Sequence, residues 1–198
     1  MGEVRADGTG EEEILMADEQ SALPTDVSPG GKYVVFNSGG DVGVLSLEKD
    51  REAGILKTRA NERGAVFSPG GRFIAYTSNA SGEVEVYVRP FPNVDDGRFP
   101  ISQRGGRYPL WAPDGRELFY WASEGLMSVA VETEPRFRPG IPQLLFEDMG
   151  FLQEFGRTYD ISPDGKRFLI VKQDETARSE LIIVENWFEE VRRLVPTE

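Results

Sequence analysis

Three arginines share one register. Arg63, Arg107 and Arg157 each stand five residues before the residue that opens a repeated turn, at Ser68, Ala112 and Ser162, while the copy opening at Ser28 has Leu23 there. A guanidinium presents a planar fork of donors that suits a carboxylate or a phosphate. Repeats set around an axis would bring these three side chains to the mouth of a central channel, with Tyr108 and Thr158 beside them, to bind an anionic group. The competing reading pairs each arginine with a nearby carboxylate, such as Glu62 or Glu154, to brace adjacent repeats. Asp114 and Asp164 raise a second chemistry, because two carboxylates facing each other drive glycoside hydrolysis. Each precedes a glycine in a turn, however, where aspartate is chiefly a turn former.

The remaining chemistry is bounded by what is missing. The 198 residues include no histidine and no cysteine, which removes imidazole and thiolate as catalysts and as metal ligands. No metal and no cofactor is expected, and the chain reads as no enzyme. Its 22 basic against 34 acidic residues leave a net charge of −12. That field repels nucleic acid and anionic lipid, so a protein partner or a small anionic ligand is expected instead. The longest apolar runs, such as Leu181-Ile182-Ile183-Val184, are too short to cross a bilayer, and the first residues do not read as a signal peptide.

The elements that must position the arginines come from one repeated unit. Ser28-Pro-Gly-Gly, Ser68-Pro-Gly-Gly, Ala112-Pro-Asp-Gly and Ser162-Pro-Asp-Gly follow one another at 40, 44 and 50 residues. Proline presets the first central residue of a tight turn, and the residues after it tolerate positive φ. Each turn is entered from a short apolar strand and left into a second strand that opens with Lys or Arg. Third strands are predicted at 42–47, 84–88, 126–131 and 181–184, and outer strands at 54–57, 98–101 and 143–146. Periods of this length with four strands each are the mark of a β-propeller. The fold class is therefore all-β: one domain over 1–198 of about four four-stranded antiparallel blades, at 21–58, 59–102, 103–147 and 148–185. Residues 12–16 are expected to close the last blade, and 186–195 to form a short C-terminal helix. That helix would be capped by Asn186 with Glu189 three residues on. Four blades close a tight ring; two copies could instead build an eight-bladed one by a two-fold operation.

The turn followed by a basic residue and an aromatic-rich strand resembles the TolB-type propeller repeat. Arg5-Ala-Asp-Gly-Thr-Gly-Glu-Glu-Glu13, Glu85-Val-Tyr-Val-Arg-Pro-Phe-Pro92, Gly115-Arg-Glu-Leu-Phe-Tyr120 and Asn186-Trp-Phe-Glu-Glu190 are similar, more narrowly, to the C-terminal sensor propeller of bacterial membrane-anchored serine/threonine kinases. Gly30 and Gly70 depart from that pattern, where Asp is usual, and no kinase motif is present. The resemblance implies a non-catalytic sensor or binding propeller in a periplasmic or extracytoplasmic setting. A carboxylate-based hydrolase at the channel mouth and a purely structural fragment are the alternatives.

Overall fold

The computed structural model describes residues 1–3, 7, 9–16, 22–48, 53–56, 58–147 and 156–171. A two-stranded hairpin, β1 (Gly2–Glu3) with β2 (Glu13–Ile14), comes first. The first full sheet runs in order β3 (Leu23–Val27), β4 (Tyr33–Ser38), β5 (Asp41–Ser46) and β6 (Ala53–Leu56). The second repeats it with β7 (Glu62–Phe67), β8 (Phe73–Ser78), β9 (Glu85–Pro90) and β10 (Phe99–Pro100). In the third, β11 (Arg107–Trp111), β12 (Glu117–Ala122) and β13 (Gly125–Glu132) are followed by β14 (Arg138–Pro139) and β15 (Gln143–Glu147), both paired to β13. The last described pair is β16 (Tyr159–Ile161) with β17 (Phe168–Ile170). Every pairing is antiparallel, and no helix occurs among the described residues.

The repeated turn has one geometry in all four copies. The N–H of Gly31, Gly71, Gly115 and Gly165 donates to the carbonyl three residues earlier, at 2.8–2.9 Å. All four glycines have φ between 69° and 72°, a conformation that costs other residues dearly. Where the turn opens with serine, its hydroxyl oxygen also accepts the N–H five residues on, at 3.0–3.1 Å in the copies at Ser28, Ser68 and Ser162.

Alternation along the second strands decides the packing. Phe73 and Ala75 join Val86, Val88 and Ile101 against Trp111, Leu118, Tyr120 and Val129 of the third sheet. Ile74 and Tyr76, on the opposite face, pack with Val35 and Val42 of the first sheet. Phe119, Trp121 and Leu126 then turn to Tyr159, Phe168 and Ile170 of the last. A sheet buried on both faces needs a continuous apolar run, which is what residues 73–76 supply, with large side chains such as Phe73 and Ile74 contributing about 1.5–3 kcal/mol each. Hydrogen bonds stitch the seam between the first two sheets. Asp26 Oδ2 accepts the Phe67 N–H at 2.8 Å, and the Thr25 hydroxyl donates to the Ala65 carbonyl at 2.8 Å.

Two expectations about the ends meet the structure differently. Glu13–Ile14 pairs with Gly2–Glu3, and no described strand of the last sheet pairs with it. The strand expected at 181–184 and the helix at 186–195 lie outside the described residues.

Candidate functional site

The connector between the second and third sheets is built around a buried glutamate. Glu85 opens β9 with 6% of its surface exposed. Its Oε1 accepts the Gly105 N–H at 3.0 Å, and its Oε2 accepts the Ser102 hydroxyl. The Ser102 oxygen in turn accepts the Val86 N–H at 2.8 Å. Gly106 donates to the Val84 carbonyl at 2.9 Å. A side chain at Gly106 would place its Cβ 2.6 Å from Ser102 Oγ and 3.0 Å from the Tyr120 ring, so this close approach requires glycine. Glu85 thereby folds residues 102–106 back on β9, which leaves Gln103 and Arg104 exposed and delivers Arg107 to the start of β11.

Immediately after Arg107 the strand bulges. Tyr108 has φ of 57°, and the pairing with β12 shifts register between Arg107 and Leu110. The second sheet has the same shift after Arg63, where Gly64 takes φ of 63°, and the first shifts between Pro24 and Asp26. A tyrosine in that conformation stores about 1–3 kcal/mol of strain and persists only when its surroundings hold it. Here the Tyr159 hydroxyl donates to the Tyr108 carbonyl at 2.6 Å, and burial pushes the Tyr159 phenol well above its usual range. Bulges also re-aim the side chains beside them.

Arg107 and Arg104 line one cleft of about 500 Å³, together with Glu83, Trp121 and Ser123. Arg107 lies directly across the ladder from Trp121, whose ring stacks on Tyr159 at 5.9 Å. Both arginines are exposed, and neither forms an ion pair with a described residue. Arg104 does act on Glu124, whose carboxyl is held below its usual range first by the Ser123 hydroxyl and to a lesser degree by that guanidinium.

The other arginines of the register go elsewhere. Arg157 lines a cavity of about 280 Å³ built from the finishing ends of β3, β7 and β11, among them Asp26, Phe67 and Trp111. Arg63 is exposed, its carbonyl accepting the Thr77 hydroxyl at 2.9 Å, and it lines neither cavity. The cavities bordered by Arg107 and Arg157 share no residue. The bracing pair suggested for Glu62 does not form. That carboxylate is 1% exposed, and its Oε1 accepts the Thr58 hydroxyl at 2.6 Å and the Ser78 hydroxyl at 3.5 Å. Glu154 lies outside the described residues. Asp114 and Asp164 share a cavity of about 350 Å³ with Glu117, yet each serves its own turn. Asp114 accepts the Arg116 N–H at 3.0 Å. Asp164 accepts the Ser162 hydroxyl and the Lys166 N–H, which lower its pKa in that order.

Register reasoning missed Arg104 and Glu85. The Gly105-Gly106 pair ahead of Arg107 was a legible sign of a tight turn, and Glu85 inside the apolar strand Val84-Glu-Val-Tyr-Val88 was a legible sign of a buried carboxylate in need of donors.

No protein-family model and no curated protein sequence matches the chain. Solved structures do. TolB from Acinetobacter baumannii is similar over 87% of this chain and 42% of its own, at 16% identity and a TM-score of 0.63. A protein of Agrobacterium tumefaciens provisionally assigned as TolB is similar over 81% of this chain and 57% of its own, at 22% identity and a TM-score of 0.58. The fold is that of TolB-like β-propellers. The chain spans about half the length of these neighbours. Nothing in the comparisons carries the narrower resemblance to the kinase propeller. A third propeller, from Bacteroides uniformis and provisionally assigned as a 6-phosphogluconolactonase, is similar over 86% of this chain and 56% of its own, at 20% identity and a TM-score of 0.54. It corrects the expectation that the chain is no enzyme: a TolB-like propeller frame also carries a protein assigned a catalytic activity. Missing histidine and cysteine exclude two kinds of catalyst, while carboxylates remain available for acid–base work.

Proposed function

We propose that this propeller is a binding module whose site is the cleft at the start of β11, where Arg104 and Arg107 hold an anionic group. The observation that supports it is the pair of exposed guanidiniums, without ion-pair partners among the described residues, in one cleft of a chain whose net charge is −12. Trp121, almost wholly buried against Tyr159, borders the cleft, and Glu85 holds the connector in place beforehand, which lowers the ordering cost of binding. The group is a carboxylate or a phosphate, carried by a small molecule or by a protein partner. An extracytoplasmic setting fits the resemblance to TolB-type propellers.

The test is equilibrium binding of citrate and of inorganic phosphate to the wild type and to single and double arginine variants. Each charge-assisted contact is worth about 1.5–3 kcal/mol, so R104A and R107A should each weaken binding by roughly tenfold or more. Arg63→Ala and Arg157→Ala should leave it unchanged. Equal losses at Arg63 and Arg157 would restore a convergent ring of three arginines as the site. Unchanged binding in the double variant would dismiss the cleft.

A further inference from the structure

The arginine cleft does not end at Arg104. Arg104, Gly105 and Ala122 also line an adjoining cavity of about 320 Å³, so the two lie side by side across a shared wall. The lining changes character there: Tyr120, Met127, Ile141 and Pro142 replace Arg107 and Ser123. Tyr120 is buried, while Ile141 is 84% exposed, the most exposed of the chain's large described apolar side chains. Burial, then Glu85 and Glu124, push the Tyr120 phenol up to about 12, so it stays neutral and adds no charge to this half. Met127, Ile141 and Pro142 line this cavity together and give its wall an apolar character.

From this juxtaposition we infer that the groove recognises an extended acidic segment of a partner protein, with a carboxylate at Arg104 and Arg107 and an aliphatic side chain two residues away against Ile141, Pro142 and Met127. This deepens the proposed function and rests on it. In an extended chain, side chains at i and i+2 point to the same side about 6.6 Å apart, which suits two side chains entering adjoining cavities that share a wall. Charge complementarity supports an acidic rather than a basic segment, since Arg107 has no carboxylate neighbour within ion-pair distance among the described residues. Glu83 and Glu124 line the groove as well and would attract a basic residue, which makes a lysine peptide the competing ligand.

Three blocked tripeptides make the test: acetyl-Asp-Gly-Leu-amide, acetyl-Asp-Gly-Gly-amide and acetyl-Lys-Gly-Leu-amide, each titrated against the full chain with NMR chemical shifts as the readout. The leucine peptide with aspartate should bind about tenfold more tightly than its glycine counterpart, in keeping with burial of one aliphatic side chain. Ile141→Ser, a neutral change at an exposed loop position, should erase that preference and leave the glycine peptide unaffected, while R104A/R107A should weaken both. Equal affinity of the two aspartate peptides, or a preference for the lysine peptide, overturns the inference. If the aspartate peptides bind equally and still need the arginines, the anion-binding function stands without it. If neither aspartate peptide binds, or binding survives loss of both arginines, the proposed function fails together with the inference.

Discussion

Glu62 and Glu85 sit in one row of the second blade, each directly across the ladder from Ser78, and both are buried. Their surroundings make them different groups. Glu85 has a donor for each oxygen and spends them holding the 102–106 connector under Arg104. Among the described residues Glu62 has donors for Oε1 alone, from Thr58 and Ser78, while its buried Oε2 has none. Burial pushes the Glu62 carboxyl up; the Thr58 and Ser78 hydrogen bonds and Arg89 pull it down, and Asp41 adds to the rise. The lesson is that equal burial does not assign equal roles. A fully hydrogen-bonded carboxylate is a fixed brace, and a half-satisfied one is a group whose charge the fold resists.

The largest effect should come from breaking the brace. Glu85→Ala leaves the Ser102 hydroxyl and the Gly105 N–H without their acceptor, and denaturant unfolding should show a loss of about 3 kcal/mol. Anion binding at the arginines should fall with it, because the connector loses its anchor. A loss below about 1 kcal/mol with intact binding would mean that the two glutamates do not differ as described.

Removing the half-satisfied charge should act in the opposite direction. Glu62→Gln is expected to stabilise the propeller by about 1–2 kcal/mol at neutral pH. Because the folded-state pKa is raised above the ordinary value of 4.5, the protonated form favours the fold. The contribution of Glu62 is therefore fully present below that ordinary value and is lost as pH rises through the raised one. The advantage of the glutamine variant should grow across the same window and vanish in acid; an advantage independent of pH would contradict the assignment.

Ser78→Ala sharpens the comparison, since that hydroxyl donates to Glu62 and to no oxygen of Glu85. It should cost about 0.5–1 kcal/mol, shift the Glu62 titration further upward, and leave anion binding as it was. The smallest change is expected at Tyr108→Gly. Relief of the left-handed conformation and loss of a half-buried ring oppose each other, for a net change within about 1 kcal/mol by thermal unfolding.

Much of the frame was legible before any coordinates. The Ser/Ala-Pro-x-Gly turns announced four hairpins, and the third and outer strands of the first three blades lie within two residues of where β propensity put them. Phe73-Ile-Ala-Tyr76 read as a buried strand because both its faces had to find neighbours. The site was less legible. The shared register of Arg63, Arg107 and Arg157 was real, but a register fixes where the backbone stands; a bulge follows Arg63 and Arg107 while the pairing after Arg157 is regular, so equal positions do not aim their side chains alike. The contrast between the two glutamates was invisible, since the donors to Glu85 lie 17 and 20 residues away in sequence and meet it only across the sheet. The denial of catalysis failed for a different reason. It argued from residue types that were absent, whereas the same fold also carries a protein assigned a catalytic activity.

The most direct test of the central claim is an NMR titration with citrate that follows the tryptophan indole N–H signals. Trp121 lines the arginine cleft, whereas Trp111 borders the separate cavity reached by Arg157. The Trp121 signal should move to saturation with the Trp111 signal still, and the movement should disappear in R104A/R107A. A still Trp121 signal, or one that moves just as far without both arginines, would contradict the account.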